Sequence, residues 1–105
     1  MTHEYTILTG GTVLAGNGAP ECTAIVWAGD RVLFVGSDDD ARAISRGDSH
    51  FVDLAGAFVA PVGESLETGG PANLAVLDQD PRLGSARTLA LIRDGRIVAG
   101  HLSAS

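Results

Sequence analysis

The sequence predicts a mainly β domain, a small β-sandwich or partly open barrel of short strands with one short helix. Three observations predict it. Apolar, β-branched runs of four to six residues recur along the chain, each closed by Gly, Pro, Asn or Asp. Two of the junctions are two-residue Gly-Asp or Asp-Gly turns, the strongest local hairpin signal. Only one stretch, around residues 41–46, carries both a helix start and a helix stop.

Taken in order, Ile7-Leu8 and Val13-Leu14 flank Thr9-Gly10-Gly11-Thr12, which reads as two short strands meeting at a bend or bulge. Gly16-Asn17-Gly18-Ala19-Pro20 reads as a loop, because its glycines and proline suit neither a helix nor a central strand. Thr23 to Ala28, the turn Gly29-Asp30 and Arg31 to Gly36 form the first hairpin, where glycine supplies the positive φ that the turn needs. Ser37 or one of Asp38, Asp39 and Asp40 then caps a helix over Ala41-Arg42-Ala43-Ile44-Ser45-Arg46, with Gly47 after it. Two turns of helix are marginal in water, so Ala41, Ile44 or both must pack it onto the rest.

Phe51-Val52-Asp53-Leu54 and Ala57-Phe58-Val59-Ala60 read as short strands around Ala55-Gly56, ended by Pro61. A turn-rich stretch from Glu64 to Pro71 precedes a buried strand at Asn73-Leu74-Ala75-Val76-Leu77-Asp78. The last hairpin runs from Thr88 to Arg93, turns at Asp94-Gly95 and returns through Arg96-Ile97-Val98-Ala99. Two short copies of similar hairpin chemistry do not make a repeat architecture.

Composition narrows the function. A chain of 105 residues, 45% hydrophobic, is long enough for one modest core, and its three Phe, one Tyr and one Trp leave that core mostly aliphatic. Thirteen acidic residues against seven basic ones give a net charge of −6, which repels phosphate backbones and anionic lipid, so neither nucleic acid nor membrane is an expected partner. All seven basic residues are Arg. The single Cys22 fits a reducing compartment, and Met1-Thr2-His3-Glu4 shows neither a basic segment nor an apolar run, so a cytoplasmic location is the expectation.

Two sets of motifs then converge. Gly10-Gly11-Thr12-Val13, Phe34-Val35-Gly36-Ser37-Asp38, Val52-Asp53-Leu54-Ala55-Gly56 and Phe58-Val59-Ala60-Pro61 follow one another in the order of the opening segment of amidohydrolase-superfamily enzymes. Ser65-Leu66-Glu67-Thr68-Gly69, Ala72-Asn73-Leu74-Ala75-Val76-Leu77-Asp78 and Asp94-Gly95-Arg96-Ile97-Val98 are similar to the closing segment of the same enzymes, with Asn73 where the family usually has Asp. The chain thus resembles the superfamily, in the style of amidohydrolase family 3, over nearly its whole length. In that family the two segments together form a composite β-domain beside a catalytic (β/α)₈ barrel of roughly 250 residues. Here only Val62 and Gly63 separate Pro61 from Glu64. The resemblance therefore implies one composite domain over residues 1–105, with 1–61 as its N-terminal part, 64–105 as its C-terminal part and no barrel between them.

The family hydrolyses carbon–nitrogen bonds other than peptide bonds with zinc or another divalent metal, held first by a His-x-His pair and in some branches by a carbamylated Lys. This sequence has no His-x-His, no His directly after Pro61 and no Lys. No catalytic, cofactor-binding or metal residue carries over, and the expectation is a non-catalytic domain without a cofactor.

The remaining reactive groups do not rebuild a site in sequence. His3, His50 and His101 are scattered singly, and Asp38-Asp39-Asp40 is explained by helix capping as readily as by a hard cation. Cys22 has no paired base and reads as a small buried residue. Ser65 lies in no Gly-x-Ser-x-Gly elbow, the glycines at 10–11 and 16–18 precede strands, and Trp27 reads as core or cross-strand packing. The alternative function is an interaction module that docks a separate barrel subunit or a second copy, since surface that faces a barrel in the family would otherwise stand exposed.

Overall fold

The computed structural model describes residues 5–14, 16, 21–44, 49–63 and 66–100. Among the described residues, nine strands, one α-helix and one 3₁₀ turn make up the regular structure. They are β1 (Tyr5–Thr9), β2 (Thr12–Val13), β3 (Ala24–Ala28), β4 (Arg31–Gly36), α1 (Asp38–Ile44), β5 (His50–Asp53), β6 (Phe58–Pro61), β7 (Leu74–Leu77), the 3₁₀ turn (Pro81–Leu83), β8 (Thr88–Arg93) and β9 (Arg96–Gly100). Most of the Gly16–Pro20 loop, the end of the expected helix at Ser45-Arg46-Gly47 and the pair Glu64-Ser65 lie outside the described residues, as do His3 and His101.

The strands form two mixed sheets. The first has the order β4-β3-β1-β5, antiparallel except where β5 joins β1 in parallel. The second has the order β2-β6-β7-β8-β9, antiparallel except where β2 joins β6 in parallel. The fold is thus mainly β, and the strands do not close into a barrel.

One core fills the space between the sheets. Leu8, Ile25, Trp27 and Val32 enter it from the first sheet, and Val13, Val59, Leu74, Val76, Ala90 and Ile92 from the second. A smaller cluster of Ile7, Ala24, Val26 and Ala41 lies on the other face of the first sheet, where α1 covers it. Strand periodicity explains why β3 reads as a continuous apolar run: Ile25 and Trp27 face the second sheet, while Ala24 and Val26 face α1. Each fully buried Leu or Ile contributes about 1.5–3 kcal/mol of transfer free energy. Apart from Trp27 the buried residues of this core are aliphatic, as the composition requires.

Local chemistry sets the ends of α1. The Ser37 carbonyl accepts from the Ala41 amide at 3.0 Å and the Ser37 hydroxyl from the Asp40 amide at 3.2 Å, so Ser37 is the N-cap. The three aspartates therefore occupy the first helical turn and not the residues before it, a position that favours negative charge. The expected short strands around Ala55-Gly56 form, and they lie in different sheets. β5 belongs to the first sheet and β6 to the second, and the Ala55-Gly56 turn carries the chain across. The Thr9-Gly10-Gly11-Thr12 bend does the same between β1 and β2.

Candidate functional site

Of the reactive residues singled out in the sequence, His50, Cys22 and the aspartates Asp38, Asp39 and Asp40 are among those the structure describes. His50 sits exposed at the start of β5. Asp39 points into solvent and meets Arg42 at 3.6 Å, while the Asp38 carboxylate accepts from the Gly10 amide, with both oxygens at 3.3 Å. The aspartate run thus serves helix and strand ends. Cys22 is half-buried and not fully buried; its backbone bridges to Val13, and its side chain packs against the main core. Among the described residues no group of three His, Cys, Asp or Glu side chains is placed to hold a metal ion.

The polar groups that do converge lie where the two hairpins meet. Gly29-Asp30 closes the β3–β4 hairpin, Asp94-Gly95 closes the β8–β9 hairpin, and residues 69–73 run between them. The Val32 amide donates to the Gly70 carbonyl at 2.9 Å, and the Gly69 amide donates back to Val32 at 2.8 Å. The Ala72 amide donates to Asp30 at 2.8 Å, and the Gly95 amide to Ala72 at 3.0 Å. Two side chains complete the junction. Trp27, only 3% exposed, donates its indole Nε1 proton to the Gly95 carbonyl at 3.1 Å, and the Asn73 Oδ1 accepts from the Asp94 amide at 2.8 Å. Gly95 must be glycine: its φ is +77°, and a Cβ there would collide with the Gly29 carbonyl oxygen.

A second clasp lies at the 3₁₀ turn. The Arg82 guanidinium donates to Glu21 Oε1 at 2.7 Å and to Asp80 Oδ2 at 2.7 Å, while the Arg82 amide donates to Asp80 Oδ1 at 2.9 Å. These bonds hold the Asp80 carboxyl below the ordinary carboxylate range, with the Arg82 side chain as the largest cause, and push the Arg82 guanidinium up. Both clasps tie residues before Val62 to residues after Gly63. Sequence reading placed Trp27 in the core correctly and missed its indole bond, because nothing local links positions 27 and 95.

The comparisons add a relationship. No known protein family and no curated protein matches the sequence. The chain is similar to an uncharacterized metal-dependent hydrolase from Pyrococcus furiosus, at 27% identity with a TM-score of 0.51, over 54% of this chain and 13% of that one. It is also similar to an uncharacterized metal-dependent hydrolase from Pyrococcus horikoshii OT3, at 26% identity with a TM-score of 0.50, over 55% of this chain and 12% of that one. About half of the chain therefore resembles a small part of two metal-dependent hydrolases, and the chain spans only about an eighth of their length.

Proposed function

We propose that the chain is the composite β-domain of a metal-dependent amidohydrolase, without hydrolytic chemistry of its own. The observation that carries this reading is the partial likeness to metal-dependent hydrolases, which covers half of the chain and only 12–13% of the hydrolases. The order of the superfamily-like motifs supports the finer assignment, with residues 1–61 and 64–105 as two segments of one domain. The clasps between those segments are what such a domain needs in order to stand alone. Its parent enzymes would act on carbon–nitrogen bonds other than peptide bonds, in the cytoplasm. With no metal-holding group among the described residues, no hydrolytic step is assigned to this chain.

The test is chemical. The purified chain, dialysed against zinc and then against buffer, is expected to retain no stoichiometric metal and to turn over no amide or ester in a hydrolase panel. One zinc per chain together with turnover would defeat the proposal.

A second reading, an interaction module, is favoured by the exposure of Leu83, Leu89, Ile97 and Val98, all in the last quarter of the chain. A separate barrel-containing subunit or a second copy is the partner this reading supplies. A strictly monomeric species in light scattering that captures no partner counts against it.

A further inference from the structure

β9 is an edge strand that breaks two rules at once. It is hydrogen-bonded to β8 along one side, and among the described residues nothing pairs with its other side. Free edges usually carry charges, Pro, bulges or short strands that discourage pairing, and of these β9 has only Arg96 at its start and an irregularity at Val98, opposite Leu91 and Ile92. This one runs Arg96-Ile97-Val98-Ala99-Gly100, with all five residues exposed, Ile97 by 47% and Val98 by 56%. Leu89 on the neighbouring strand is 46% exposed, so three of the four exposed large apolar side chains lie on β8 and β9, with Leu83 on the 3₁₀ turn as the fourth.

The second broken rule is electrostatic. Arg93 and Arg96 are direct partners across the turn, and directly opposed side chains share a face of the sheet. Like charges in that position destabilise a hairpin. Among the described residues neither guanidinium meets a carboxylate, although Arg31, Arg42 and Arg82 each do. Residues 82–100 hold four arginines against one aspartate in a chain whose net charge is −6. Local rules broken without a compensating contact are expected at functional or strained sites.

We infer that the free edge of β9 accepts an acidic, apolar, extended segment of another polypeptide. The segment adds as a sixth strand: its backbone pairs with the open amides and carbonyls of β9, its apolar side chains cover Ile97 and Val98, and its carboxylates compensate Arg93 and Arg96. Unpaired backbone groups along a strand select a polypeptide over a nucleic acid, which the overall negative charge also repels. A second copy is the poorer occupant, since β9 laid against β9 brings a further Arg96 and no carboxylate. The inference rests on the edge alone and stands or falls separately from the amidohydrolase reading.

The probe is a capped ten-residue peptide of alternating Glu and Val, with a Gln–Val peptide of the same length as control, titrated into the ¹⁵N-labelled full chain. Saturable amide shifts over residues 96–100 are expected, with the Gln–Val peptide binding about ten-fold more weakly and the difference shrinking as salt is added. The double variant Arg93→Gln/Arg96→Gln loses that preference, while its Tm equals or exceeds that of the parent because the like-charge opposition is gone. Absence of saturable shifts in β9, equal affinity for both peptides, or a variant that keeps the preference overturns the inference. Self-association through β9 in sedimentation, without peptide, overturns the choice of occupant.

Discussion

Asn73 and Gly95 show how much of this fold depends on single residues at the hairpin junction. The Asn73 Oδ1 takes the Asp94 amide, which β8 and β9 leave without a ladder partner at their turn. Removing that acceptor through Asn73→Ala should cost about 1–2 kcal/mol in urea unfolding, whereas Asn73→Asp keeps an acceptor oxygen and should stay within about 0.5 kcal/mol of the parent. Gly95→Ala meets both a positive φ and the Gly29 carbonyl, so a loss above about 2 kcal/mol is expected in the same assay. Asp80 carries a pH signature. Its folded-state carboxyl lies below its unfolded value because the Arg82 side chain and amide bond it. Its stabilisation is therefore present above the unfolded value of about 3.9 and is lost as pH falls through the folded one. The Tm difference between the parent and Asp80→Asn should accordingly be constant near neutrality and shrink below pH about 4. Of these residues, the sequence marked Gly95 as a turn glycine. It placed Asn73 only in a strand, since a side-chain bond between positions 73 and 94 has no local signature.

Elements were legible where their cause is local. The Gly29-Asp30 and Asp94-Gly95 hairpins formed as expected because two residues with positive φ or high turn tendency specify them. α1 was legible from its capping residues, but which of Ser37 and the three aspartates caps it was not, and the Asp38 amide instead reaches Thr23 Oγ1 at 3.1 Å beside the paired ends of β3 and β4. The parallel pairings β1–β5 and β2–β6 were not legible, because they join strands about 45 residues apart and their cost is loop closure. The 3₁₀ turn Pro81–Leu83 was also missed, although Asp80 before Pro81 is an N-cap followed by Pro at N1. At this scale α1 offers a paired test. Ser37→Ala should cost about 0.5–2 kcal/mol through the lost cap. Ala41→Leu should cost about 1–3 kcal/mol, because Ala41 is fully buried against Ile7, Ala24 and Val26. Equal stability of Ala41→Leu and the parent in thermal unfolding would show that α1 is loosely packed.

For the whole molecule, the two segments on either side of Val62-Gly63 are held by contacts that do not involve the link. β6 pairs with β7 from Phe58–Leu77 to Pro61–Leu74, and both clasps join earlier residues to later ones. Gly63 itself is exposed with φ +106°, and a Cβ on it would touch nothing within 4 Å. If the segments recognise each other through these surfaces, lengthening the link adds only the entropy of closing a longer loop. Gly-Ser insertions of about 10, 20 and 40 residues after Gly63 should then each unfold cooperatively, with stability falling by about 0.6 kcal/mol per doubling. Trp27 reports on the join, because its indole lies in the core and bonds to Gly95 across the segments. Its emission maximum should not move in any of the three insertions. A red-shifted Trp27 emission or loss of the cooperative transition at the shortest insertion would mean that the short link is itself part of the fold, and the two-segment reading of the domain would fail.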